Sequence, residues 1–386
     1  MNKRLIFFIL SAGLLAGMLF FMFYPIAQFP TPSGRYGVGY ATYHWVDQMR
    51  HELNAQDPQH PYRELMVHVF YPTEKNVAAK LVAYDQDAAK STMEYFAMCS
   101  KLPKWFFSSL KLIKTQVQPG APSVKSATPL PVVIFSPGAG GPMVQSYTWM
   151  LEELASQGFV VVGINHPYVA QTIRYPDGRV IASVYRKKAR DAQWKLQLLE
   201  TNAQDISFAI TKMGELFSQK DSFWSNIDCN KIGMLGHSFG GRTTVRATRK
   251  DSRIKCGINL EGGIQDDDTT QTFTTPFMFV IAEKSFLWNK DHPQYKKGSD
   301  LDPILRFANT KDTNMKMVTI KDVGHSVFSD APLQLNMTLF GRFISRYALF
   351  GLESPADKAT DVLVTTIMPH IINFFDEHLK DKRMMK

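Results

Sequence analysis

The sequence predicts an α/β fold, a mostly parallel sheet covered by helices on both faces. Three observations carry the prediction. Short apolar runs recur at 131–135 (PVVIF), 159–164 (FVVVGI), 232–235, 254–260 and 276–282, with a further strand at 315–320. Strands buried on both faces read as continuous apolar runs, not as alternation. Between them lie stretches that read as helices, at 145–157, 186–217 and 242–250, the interleaving expected of a parallel sheet. The third observation is 231–241 (KIGMLGHSFGG), where an apolar strand runs through Gly236-His237-Ser238-Phe239-Gly240 into a helix. A G-x-S-x-G pattern between a strand and a helix is a nucleophile elbow: the serine sits on a strained turn and its hydroxyl projects above the sheet. Gly236 and Gly240 are expected there because a Cβ would collide with the neighbouring strand or helix.

The remaining elements follow in order. The basic cap Met1-Asn2-Lys3-Arg4 precedes 5–27, which carries no charge and is long enough to span a bilayer as a helix. Either an uncleaved transmembrane anchor or a removed signal segment fits. Both leave Lys3 and Arg4 cytoplasmic and the remainder membrane-anchored and exported, or secreted. Residues 28–34, rich in Pro, Ser and Gly, read as a linker. The domain layout is therefore 1–34 as signal or anchor plus linker and 35–386 as the folded domain, with 77–125 as a candidate lid or interfacial insert. Stretches 38–48 and 63–71 read as two strands at the sheet edge. Stretch 102–114 (LPKWFFSSLKLIK) reads as a basic, aromatic amphipathic helix. It either packs on the core with solvated lysines or forms a lid or membrane face in which Trp105 and Phe106 meet substrate. A terminal helix at 360–379 is expected to kink at Pro369.

Composition narrows the function. Of 386 residues, 45% are hydrophobic and 20% charged, as in an ordinary globular chain. A net charge of +9 favours anionic surfaces, membranes included. No zinc-finger spacing or RNA-binding aromatic signature accompanies it, so no nucleic-acid partner is expected. Cys99, Cys229 and Cys256 are too few and scattered for a metal site or disulfide framework; Cys229 and Cys256 are expected to be buried. No metal or cofactor is expected.

A serine hydroxyl needs a base to take its proton, and histidine does this best near neutral pH. His325, in Asp322-Val323-Gly324-His325-Ser326, follows the last strand in a loop with small neighbours. His370 and His378 fall on the terminal helix and His292 in a charged loop. His166, at a strand end, is a candidate substrate contact, and His237 is expected to pack against the sheet. The third member must be a carboxylate that holds the imidazole tautomer. Glu261, after strand 254–260, is in place; Glu283, Asp291 and Asp266, Asp267 and Asp268 are rivals. The order Ser, acid, His is that of the α/β-hydrolase fold, with its sheet of the eight-stranded type. The oxyanion hole would use the Phe239 N–H and one from Gly138-Ala139-Gly140-Gly141, for which Ala139 is the choice.

The chain resembles the plasma and bacterial branch of the platelet-activating-factor acetylhydrolase family. The resemblance rests on 63–72 (RELMVHVFYP), on Phe135-Ser136-Pro137-Gly138-Ala139-Gly140 and on 236–241 (GHSFGG), and spans roughly 37–379. It implies a calcium-independent hydrolase of short or oxidised phospholipid acyl esters, and it selects Glu261 as the acid. Two departures stand out: Glu261 where the family usually has Asp, and Pro137 where it commonly has His. The implied activity is a serine carboxylic-ester hydrolase acting on lipid or small esters at a membrane surface. A general carboxylesterase, thioesterase or polyester hydrolase would use the same triad, and a non-catalytic lipid-binding scaffold is the reading from another class.

Overall fold

The apolar runs form the centre of a nine-stranded sheet in a computed structural model that describes residues 3–24, 28–54, 58–75, 81–218, 223–264, 272–285, 314–347 and 350–381. In chain order its strands are β1 (Gly37–His51), β2 (Tyr62–Thr73), β3 (Val117–Pro119), β4 (Leu130–Ser136), β5 (Val160–Asn165), β6 (Ile227–His237), β7 (Ile254–Leu260), β8 (Phe277–Ala282) and β9 (Met315–Ile320). Their spatial order is β9-β8-β7-β6-β4-β5-β2-β1-β3. The pairs from β5 to β9 are parallel, and β2 runs antiparallel to both β1 and β5. The order reverses between β4 and β6, where Ser136 pairs with Gly236. In open parallel sheets the crevice at such a reversal, beyond the carboxyl ends of the strands, is where sites form.

Alternate side chains of the central strands enter two cores. Val133, Phe135, Val161 and Leu235 pack with the helix Thr148–Ser156 and the terminal helix Met368–Leu379. Val132, Ile134, Val162 and Met234 pack on the opposite face with Ile206, Ala209 and Met213 of the long helix Ala192–Phe217. Both faces are thus covered, which is why these strands carry no polar alternation.

Several expectations change. β2 is not an edge strand, because β1 and β3 lie outside it, and His68 and Phe70 on its second face are buried. The long helix does not start at 186. A short turn of helix, Tyr185–Lys188, ends first, and the Asp191 carboxylate then caps a new helix by accepting the Trp194 N–H at 2.9 Å. Stretch 102–114 forms a 3₁₀ helix, Lys104–Leu112. The terminal helix passes through a π turn, Leu363–Ile367, immediately before Pro369, where the ring's missing N–H is absorbed. Residues 28–34 dock rather than link: Phe29 is buried, Ser33 N–H donates to Glu153 Oε2 at 2.7 Å, and Trp149 donates to Pro30 O at 2.8 Å. Cys256 is buried and Cys229 half-buried.

The amino-terminal segment is helical over α1 (Lys3–Phe23), whose Phe7, Phe8, Leu14 and Met18 are exposed. Among the described residues no helix is long and apolar enough to cross a membrane.

Candidate active site

The elbow forms where β6 meets the helix Phe239–Lys250. Ser238 stands at the join with φ 56° and ψ −118°, a conformation that costs an L-residue about 1–3 kcal/mol and persists only where the surroundings over-determine it. The flanking glycines supply the room. A Cβ on Gly236 would lie 2.1 Å from Gly240 O, and one on Gly240 would lie 2.0 Å from Ser136 O.

Ser238 and His325 line one cavity of about 290 Å³, together with Gly138, Ala139, Tyr147, Arg186 and His237. Within the glycine-rich loop after β4, Gly138 N–H donates to Tyr147 Oη at 3.2 Å and Gly140 N–H to Val169 O at 3.2 Å. Ser238 N–H is likewise engaged, donating to Leu260 O at 2.9 Å. Among the described residues no backbone acceptor meets the Ala139, Gly141 and Phe239 N–H groups, so both amides expected of the oxyanion hole are available to a ligand, as is that of Gly141. Arg186 holds the same loop, donating from Nε to Gly140 O at 2.6 Å.

His325 begins a 3₁₀ turn after β9. Burial pushes its imidazole down to about 4, so the neutral form dominates across the physiological range. The fold favours that neutral form. Its contribution to stability is therefore complete above the unfolded value of 6.5 and is lost as pH falls toward 4. The acid limb of kcat/KM for ester hydrolysis is expected well below 6.5, close to pH 4, in a profile taken from pH 3.5 to 8. A limb at 6.5 or above would show that His325 is not the titrating base.

Glu261 ends β7 with φ 55° and is buried. Burial pushes its carboxyl up to about 8 against the Ala282 amide and Ser285 hydroxyl that favour the charged form. Its Oε2 accepts the Ala282 N–H. The stability tied to its neutral form is complete below 4.5 and is lost as pH rises through 8. No hydrogen bond among those described joins Ser238, His325 and Glu261 to one another; each is held by its own strand end. Among the rivals, Glu283 Oε2 accepts the Asp322 N–H at 3.0 Å and so fixes the base loop's backbone. Asp322 instead pairs with Lys284 and Lys358. Asp266, Asp267, Asp268, Asp291 and His292 lie outside the described residues.

The three expected substrate contacts fall elsewhere. His166 is wholly buried and both ring nitrogens are engaged, with Ser136 Oγ at 3.0 Å and Asp205 Oδ2 at 2.8 Å. This Ser136–His166–Asp205 chain has the connectivity of a catalytic triad, but it is sealed inside the protein, backing the strand that leads into the oxyanion loop. Trp105 and Phe106 stack on each other at 3.9 Å and lean on Phe23 at the end of α1. Neither is among the residues lining the cavity. Sequence reasoning passed over Tyr147, Arg186 and Asp330. Asp330 accepts the Thr148 and Trp149 amides at 2.8 and 3.2 Å and thereby pins the loop that carries His325 to the helix Thr148–Ser156. An Asp five residues beyond the candidate base was the one signal available.

A platelet-activating factor acetylhydrolase of Gallus gallus is 26% identical over 286 residues, 66% of this chain and 63% of that protein. A probable 1-alkyl-2-acetylglycerophosphocholine esterase of Arthroderma benhamiae is 28% identical over 141 residues, 36% of this chain and 33% of that protein. The chain thus spans less than two thirds of the length of these relatives. A ferulic acid esterase of Streptomyces cinnamoneus superposes with a TM-score of 0.63 at 22% identity, over 93% of this chain and 96% of that one, which establishes the α/β-hydrolase fold. The model of the family "platelet-activating factor acetylhydrolase, isoform II" matches residues 22–176 and 185–383, and the chain belongs to that family.

Proposed function

We propose that this protein is a serine carboxylic-ester hydrolase acting on lipid esters with a short acyl group, as the names of its relatives suggest. One observation carries the reading. A serine held at positive φ on a strand-to-helix turn shares a cavity with a half-buried, neutral histidine and with the loop whose Ala139 N–H is open. In this reading Ser238 Oγ attacks the ester carbonyl and His325 takes its proton, then passes it to the leaving alcohol. Ala139 and Phe239 N–H groups bind the oxyanion, and water releases the acyl group from Ser238. Glu261 orients His325 through Oε1, which no described hydrogen bond occupies. The positive charge that appears on the imidazole during attack favours the ionised carboxylate of Glu261, against the burial that raises its carboxyl. No metal or cofactor enters the reaction.

The reading extends to location. The uncharged run 5–27 would anchor the chain with Lys3 and Arg4 on the cytoplasmic side and carry the exported domain, or serve as a removed signal. The uncharged run 5–27 and the exposed apolar side chains of α1 support it. Trp105, exposed beside Phe23 among basic residues, would face lipid rather than bind substrate in the cavity.

A panel of glycerophospholipids with acyl chains of two to sixteen carbons, run beside nitrophenyl esters and a thioester, tests the substrate class. Highest kcat/KM on short-chain phospholipid is expected. Equal turnover of long-chain phospholipid, or turnover of the thioester alone, would rule out the proposed class.

A further inference from the structure

His237, which precedes Ser238 in the elbow, lies between the two other loops of the site. Its Nδ1 is 2.7 Å from Tyr147 Oη, and its Nε2 is 3.1 Å from the backbone carbonyl of His325. Tyr147 Oη is in turn 3.2 Å from Gly138 N. The two ends of this chain fix its direction. A backbone N–H can only donate and a carbonyl can only accept. Gly138 N–H therefore donates to Tyr147 Oη, the Tyr147 hydroxyl donates to His237 Nδ1, and His237 Nε2–H donates to His325 O. Only the neutral Nε2–H tautomer of His237 completes the sequence. Burial together with the neighbouring His325 keeps that ring far below the ordinary histidine value, and burial raises the Tyr147 phenol, so both groups hold the required state.

We infer that Tyr147 and His237 form a positioning relay that sets the oxyanion loop, the nucleophile elbow and the base loop in register. The inference rests on the esterase reading above. Neither residue transfers a proton to substrate. The relay acts through what it holds. It spends the Gly138 amide on Tyr147, so that the loop presents Ala139 N–H instead. It also fixes the backbone of the base itself, with the His237 and His325 rings 4.6 Å apart. Hydrogen bonds suit this work better than apolar packing, because each has a direction and fails over a few tenths of an ångström. The strained elbow alone places only Ser238. The groups that must converge on it come from loops 100 and 87 residues away in sequence, counted from Ser238 to Gly138 and to His325.

The test uses the full chain, nitrophenyl acetate as substrate and a fluorophosphonate to count reactive Ser238. Tyr147→Phe keeps the ring against Phe135, 4.8 Å away, and removes only the hydroxyl. His237→Phe removes both links and keeps a ring near Phe328, 5.7 Å away. His237→Gln retains an N–H donor toward His325 O. The expectation is a kcat lower by about 10- to 100-fold in Tyr147→Phe and His237→Phe, with KM within threefold of wild type. Partial recovery is expected in His237→Gln. The Tyr147→Phe/His237→Phe double variant should be no worse than His237→Phe alone, since both break one chain. Were His237→Phe to fail to fold, Tyr147→Phe would decide the matter. A kcat within threefold of wild type in Tyr147→Phe, or losses that multiply in the double variant, would overturn the relay while leaving the esterase reading standing. A wild-type protein that neither cleaves the ester nor takes up the fluorophosphonate would overturn both.

Discussion

Ser238→Ala is expected to lower ester hydrolysis by about four to six orders of magnitude, a loss typical for removing a triad nucleophile. The variant should also lose all labelling by a fluorophosphonate. Its fold should survive. Alanine has the same Cβ as serine, so the positive φ at the turn is no more strained than before, and no hydrogen bond described here runs through the Ser238 side chain. Rate should not fall to that of water, because Ala139 and Phe239 N–H groups would still polarise a bound carbonyl. Melting temperature within a few degrees of wild type, with catalysis gone, is the expected pair of results. Activity within tenfold of wild type would remove Ser238 from the mechanism, whatever its geometry.

The largest effect on stability is expected from Arg63→Met. Arg63 is fully buried, and its guanidinium reaches Asp205 through Nε at 3.1 Å and Nη2 at 2.7 Å and Glu52 through Nη1 at 2.7 Å. Burial alone would push the Asp205 carboxyl up, but Arg63 and His166 together hold it far below the ordinary carboxylate range. Removing Arg63 leaves Glu52 without this buried partner and leaves Asp205 only Arg50, whose Nη2 lies 3.0 Å from its Oδ1, and His166. Breaking a buried ion pair costs about 3–5 kcal/mol, enough to threaten a fold whose total stability is of order 5–15 kcal/mol. Asp205 contributes stability above its unfolded value of 3.8 that is lost as pH falls through its depressed folded value. The deficit of Arg63→Met in urea unfolding should therefore be largest at neutral pH and shrink toward pH 3, where the stranded carboxylate can protonate. A deficit under 1 kcal/mol at pH 7 would show that this network is not what secures the strands behind the site. Catalysis should fall as well, since Asp205 orients His166 and His166 takes the hydrogen bond of Ser136, the last residue before the oxyanion loop.

Much of this molecule was legible in one dimension. Runs such as 131–135 and 276–282 fall on β4 and β8, because a strand buried on both faces reads as a nearly continuous apolar run. The elbow was legible because its steric demand is local: two glycines within four residues of one another, where any Cβ would overlap a backbone atom. The motif and the chain order likewise singled out Ser238 and His325, whereas only the family resemblance chose Glu261 among its rivals; the sheet carries Ser238 and Glu261 to the ends of β6 and β7 and His325 to the loop after β9.

Other features had no local signature. Apolar 102–114 reads equally well as core helix or surface, and only packing decided that Phe107 is buried while Trp105 is 61% exposed. His166 and His325 both follow a strand in a short loop, yet one is sealed against Asp205 and the other opens on the cavity. The difference lies in Arg63, 103 residues from His166, and in Arg50, which together supply the charge that makes a buried Asp205 tolerable. Local rules reached the backbone because turns, caps and strand patterns depend on neighbours a few residues apart. Which polar groups end up bonded to which depends on atoms brought together from across the chain, and that pairing existed only once the sheet had formed.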